Sequence, residues 1–119
     1  MPRGPRERQD GDVYHVMARG NNKENIFREV ADYDRYVDSI RRFKPKIRIE
    51  IYCFVLMPNH IHFLLKAEEG KELSRFMHLI QTSYSIYFNH KYSRVGHLFQ
   101  GRFKRIQGQT LPRDCPYRQ

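Results

Sequence analysis

Residues 47–66 constrain the fold more than any other stretch. Ile47, Ile49, Ile51, Cys53 and Val55 occupy alternate positions, with Arg48, Glu50, Tyr52 and Phe54 between them. A side-chain period of two belongs to a β-strand, so this run reads as a strand with its isoleucine side on a core. Pro58-Asn59 supplies a turn. Alternation then resumes, with Ile61, Phe63 and Leu65 on one side and His60, His62 and Leu64 on the other. Two alternating runs joined by a short turn make an antiparallel hairpin.

The flanking segments have a different period. Tyr33, Tyr36, Val37 and Ile40 recur at steps of three and four, which stacks them on one face of a helix beginning near Val30. Asp32, Asp34, Arg35, Asp38 and Arg41 fall mostly on its other faces, and Pro45 ends it. After the hairpin, Leu73, Phe76, Met77, Ile80, Tyr84 and Tyr87 form a second helical stripe across residues 71–92, with Gly96 just past its end. Val13 to Ala18 reads as a short buried strand, closed by the turn residues Arg19 to Lys23, and residues 102–106 are placed to start a last strand. The order strand, helix, strand, strand, helix, strand predicts an α+β fold. It is the ferredoxin-like split βαβ arrangement, an antiparallel sheet with two helices on one face. The expected organisation is a basic arm over residues 1–12, one domain over 13–106 and an irregular tail over 107–119.

Charge points to a class of partner. The chain carries 22 Lys and Arg against 13 Asp and Glu, a formal net charge of +9, with eight Tyr and eight Phe. Such an excess attracts polyanions, and nucleic acid is the commonest polyanion for a small basic domain rich in aromatics. Cys53 lies in the apolar alternating run and Cys115 in the polar tail; settings so different make a poor disulfide framework and no zinc site. No apolar run has the length of a membrane span, and the N-terminus lacks a signal-peptide core, so a cytoplasmic protein is expected.

His60 and His62 are the candidate chemical centre. Residues two apart on a strand share a face, so both imidazoles project from the sheet away from Ile61, Phe63 and Leu65. Two imidazoles so spaced can ligate one cation and leave positions for a third ligand, water and a phosphate oxygen. Taken alone the pattern is weak in a chain with six histidines, where two strand histidines with water or backbone partners are an equal reading.

The surroundings of the pair carry more. Leu56-Met57-Pro58-Asn59-His60-Ile61-His62-Phe63-Leu64-Leu65 resembles the HUH segment of the single-tyrosine transposases of insertion sequences, especially their REP-associated branch. Three further stretches resemble that family in the same order: Tyr14 to Asn21, Tyr84 to Asn89, and Arg94 to Lys104. The resemblance runs from about residue 13 to residue 105. It implies that His60 and His62 hold a divalent metal, Mg²⁺ or Mn²⁺, which orients a scissile phosphate in single-stranded or hairpin DNA. It further implies attack by a tyrosine hydroxyl to give a 5′-phosphotyrosine, hence DNA transposition, and a homodimer.

The family's tyrosine lies on a C-terminal helix as Tyr-x-x-x-Asn or Tyr-x-x-x-Gln, with the amide as third metal ligand. No such segment follows Ile106, where Gln107 to Gln119 has two prolines and no helical period. Tyr84 and Tyr87 are the available stand-ins, although their apolar stripe favours a core role, and Tyr117 has no amide four residues on. The expectation is a family member that binds DNA, with cleavage impaired and the tail truncated or frame-shifted. Arg19, Asn21, Asn22 and Lys23 after the first strand, and Arg94, Gln100, Arg102 and Lys104 around the late glycines, are the candidate DNA contacts. The alternative is a non-catalytic ferredoxin-like nucleic-acid-binding module, for which Tyr52 and Phe54 would be stacking aromatics on the open sheet face.

Overall fold

The computed structural model describes residues 12–107. Residues 1–11 of the arm and the tail beyond Gln107, with Cys115 and Tyr117, therefore lie outside the described residues. Strand β1 spans Asp12–Arg19, helix α1 Val30–Phe43, β2 Ile49–Met57, β3 His60–Ala67, helix α2 Gly70–Lys91 and β4 Lys104–Gln107. Among the described residues these strands form one sheet in the order β2-β3-β1-β4, with every neighbouring pair antiparallel. Each helix thus joins parallel strands across an inserted one, the split βαβ topology expected.

The core lies between one face of the sheet and the helices. Tyr14, Val16 and Ala18 of β1 and Ile61, Phe63 and Leu65 of β3 are buried there against Leu73, Phe76, Met77, Ile80, Tyr84 and Phe88 of α2. α1 adds Tyr36 and Ile40. Rings dominate the packing: Tyr36 meets Tyr84 edge-on at 5.2 Å between centroids, and Phe63 meets Phe76 at 5.9 Å. Pro45 does end α1, which gives way to a 3₁₀ turn over Lys44–Lys46.

Two expectations need correction. The alternation of β2 is broken by a bulge between Ile51 and Cys53. One inserted residue reverses the facing of everything after it. Phe54 and Leu56 consequently pair with Phe63 and Ile61 and pack against the core, whereas Val55 and Met57 pair with His62 and His60. Phe54 is thereby removed from the open face where base stacking would need it. The second correction concerns Asp32, which is not on an outer face of α1 but fully buried. It accepts hydrogen bonds from the backbone N–H of Arg28 at 2.9 Å, the Tyr87 hydroxyl at 2.7 Å, the Tyr92 hydroxyl at 2.5 Å and Lys91 Nζ at 2.8 Å. This ring of donors ties the start of α1 to the end of α2. Burial opposes the charge, but the bonds from Lys91, Tyr92, Tyr87 and the Arg28 amide outweigh it and hold the carboxyl well below the usual carboxylate range.

Candidate nucleic-acid and metal interface

The sheet face away from the helices carries the histidines. β3 is buried at Ile61, Phe63 and Leu65, so His60 and His62 emerge on the opposite side, half-buried. Their rings stand edge-on with centroids 4.9 Å apart. Pairing puts β1 alongside in the register Arg19↔His60 and Met17↔His62. His15, two residues back, lies diagonal to His62 and reaches it, with His15 Nε2 3.1 Å from His62 Nδ1. His60 Nδ1 is 2.9 Å from the side-chain oxygen of Asn59. Burial, then the neighbouring charges of His60 and His15, lower the His62 pKa and favour its neutral form.

The two imidazoles offer a partial donor set for a cation. Each of the two rings has Nδ1 engaged by a neighbour, which leaves Nε2 of His60 and His62 for a metal, the usual division of labour for imidazole ligands. A third protein ligand is not supplied by the described residues, which contain no group of three or more His, Cys, Asp or Glu able to hold a metal ion.

The histidine turn is braced by the loop after β1. The Gly20 amide donates to Asn59 O at 2.9 Å, and the Ile26 and Phe27 amides donate to Pro58 O at 2.7 and 3.2 Å. The bracing explains the glycine. A Cβ at Gly20 would lie 2.1 Å from Glu24 O, so the loop closes only around a residue without one. The far side of β1 is zipped to the late loop through Asn21 N–H to Leu98 O and Gln100 N–H to Arg19 O, both at 2.8 Å.

These contacts gather the sequence candidates unevenly. An open pocket of 390 Å³ is lined by Met17, Arg19, Lys23, Asn59, His60 and His62. A smaller one of 80 Å³ is lined by Met17, Ala18, Arg19, Gln100, Arg102 and Lys104, so Arg19 and Met17 border both. Arg94 sits apart. Its guanidinium is forked onto Glu24 at 2.6 and 2.7 Å and also bonds Asn89 and the carbonyls of Gly96 and His97, which makes it the anchor of its own loop. Asn21 reaches His97 O at 3.4 Å, and Asn22 is exposed in the left-handed region at φ 60°.

Neither stand-in tyrosine reaches the histidines. Tyr84 is fully buried on the helix side, donates its hydroxyl to Ile26 O, and has its pKa pushed up by burial and by Asp32. Tyr87 belongs to the Asp32 ring, also on the helix side. Sequence reasoning named none of His15, Met17 and Asn59 as a site residue. The alternation of Val13 to Ala18 could have marked His15 and Met17 as outward-facing, but only strand register brings them to His62.

The family model for IS200-like transposases matches residues 10–109. The chain belongs to the IS200-like transposases. Two solved structures share the transposase fold. A REP-associated tyrosine transposase bound to a REP hairpin is 19% identical, with a TM-score of 0.63 over 85% of this chain and 58% of that one. A protein assigned as a transposase of Deinococcus radiodurans R1 is 18% identical, with a TM-score of 0.57 over 85% of this chain and 79% of that one. This transposase chain therefore spans little more than half the length of the hairpin-bound neighbour. No curated protein matches it. No helix among the described residues is long and apolar enough to cross a membrane.

Proposed function

We propose that this chain binds single-stranded or hairpin DNA on its histidine face, as a transposase whose own strand cleavage is impaired. One observation carries the reading: His60, His62, Arg19 and Lys23 line a pocket that Arg19 joins to Gln100, Arg102 and Lys104. Arginine and lysine there neutralise phosphates. The neighbour solved with a REP hairpin supports hairpin DNA as the ligand class.

His60 and His62 would hold Mg²⁺ or Mn²⁺ through Nε2. A divalent ion held there would supply charge to polarise a phosphate oxygen and hold it in position. The residues around it do the rest. Arg19 and Lys23 position the backbone, and Met17 lines the same pocket. The family reaction is cleavage and rejoining through a tyrosine hydroxyl. None of the described tyrosines lines the histidine pocket, and this supports impairment of that step. Residues 13–106 are the DNA-handling domain in this reading, preceded by a basic arm over 1–12 and followed by a tail over 107–119; the protein works in the cytoplasm as a homodimer.

The test is a single-stranded hairpin substrate with Mn²⁺. Salt-sensitive binding without a covalent protein–DNA product is expected. A trapped adduct would overturn the impairment, and no binding at low salt would overturn the DNA reading.

A further inference from the structure

We propose that His15 is a positioning residue for metal binding, fixing the ring of His62 in the one neutral tautomer that can ligate. The inference rests on the metal reading above and assigns a role that neither spacing nor motif gave.

The geometry is specific. His15 Nε2 and His62 Nδ1 are 3.1 Å apart, their ring centroids 5.2 Å apart and tilted by 31°. The two rings come from adjacent strands, with His15 paired to Leu64 and His62 to Met17, so the contact is a diagonal one set by the sheet. A neutral imidazole has one N–H and one lone pair. If His62 donates from Nδ1 to His15 Nε2, its own Nε2 keeps the lone pair and binds a cation. In the reverse arrangement Nε2 carries the proton and cannot. His15 is half-buried beneath the same face, and the three rings form no three-ligand cluster, so its part is to accept the hydrogen bond from His62 rather than to bind the ion. Asn59 Oδ1 accepts from His60 Nδ1 in the same way at 2.9 Å, so both rings are oriented by an acceptor on their Nδ1 side.

Two measurements on the full chain decide it. In the metal-free protein, long-range ¹⁵N–¹H NMR is expected to show His62 as the Nδ1–H tautomer, with Nε2–H gaining population in His15→Ala. Mn²⁺ titration followed by the signal of the free hydrated ion is expected to show loss of binding in His60→Ala. Affinity should weaken about tenfold or more in His15→Ala and His15→Leu. His15→Gln, whose Oε1 is an acceptor, should hold it within about threefold of wild type. Recovery in His15→Leu instead of His15→Gln would make the role one of packing and overturn the proposal. So would an Nε2–H tautomer of His62 in the wild type. If His60→Ala loses Mn²⁺ and His15→Ala does not, the proposal alone falls. If the wild type binds no Mn²⁺, the metal reading falls first and takes the proposal with it.

Discussion

Tyr36 is fully buried between Phe27 and Tyr84, and among the described residues its hydroxyl has no hydrogen-bond partner. A buried hydroxyl left unpaired costs its desolvation without return. Tyr36→Phe keeps the ring and removes that cost, so urea denaturation should show a gain of about 1 kcal/mol with an unchanged m-value. Gly20 gives the opposite case. Its φ of −66° is open to any residue, so the demand is for space and not for conformation. Gly20→Ala sets a methyl against Glu24 O and must displace the loop that braces the Pro58-Asn59 turn. The expected outcome is destabilisation of about 2 kcal/mol in the same assay, with weaker Mn²⁺ binding because the His60 turn loses its support. Unchanged metal affinity in a folded Gly20→Ala protein would show that the brace does not set the histidines.

At the scale of elements, the two helices are joined by charge as well as by rings. Asp32 near the start of α1 accepts from Tyr87, Lys91 and Tyr92 at the end of α2, and Lys91 also pairs with Glu29. The Asp32 carboxyl is held below its unfolded pKa, so the stability it contributes is present above the ordinary carboxylate value near 4 and is lost as pH falls toward its folded value. Thermal melts should therefore show a steeper loss of stability below about pH 4 in wild type than in Asp32→Asn. Asp32→Ala should cost about 3 kcal/mol at neutral pH, because Lys91 and two hydroxyls lose their acceptor. Equal acid sensitivity in Asp32→Asn would place the acid-labile group elsewhere. Aspartate beside Glu29 and Asp34 looks like ordinary helix surface in the sequence, and only the packing of α2 against α1 reveals it as a buried hub. The β2 bulge escaped the sequence for a similar reason. The pattern Ile49, Ile51, Cys53, Val55 satisfies alternation through the whole strand, yet the irregularity after Ile51 puts Phe54 and Leu56 opposite Phe63 and Ile61, against the core. The element periods themselves were legible, because 3.6 and 2 residue repeats arise within one segment.

For the whole molecule the testable quantity is its electrostatic footprint. Arg19, Lys23, Arg102 and Lys104 come from distant parts of the chain and border two pockets that share Arg19. If these four neutralise phosphates on a single strand, the logarithm of affinity should fall against the logarithm of salt with a slope of about −3. Arg102→Ala with Lys104→Ala should flatten that slope by roughly 1 to 2 and weaken binding to all sequences alike. Arg94→Ala, by contrast, should act through the fold, since its guanidinium is spent on Glu24, Asn89 and loop carbonyls. A slope change in Arg94→Ala equal to that of Arg102→Ala would show that Arg94 also meets DNA. From the sequence alone these five basic candidates were equivalent, because charge and proximity to glycine do not distinguish a cation held by its own loop from one that faces a pocket. The sequence by itself determined the order of strands and helices, the pairing of His60 with His62 on one face, and the resemblance to a transposase. Those properties depend on local period and on residues near one another in the chain. Tertiary structure decided that His15 sits against His62, that Asp32 is buried, that Phe54 turns inward and that Tyr84 and Tyr87 lie across the sheet from the histidines. The contacts of His15, Asp32, Tyr84 and Tyr87 join residues 47 to 60 positions apart, where no local pattern records them, and Phe54 turns on a bulge in the register between β2 and β3.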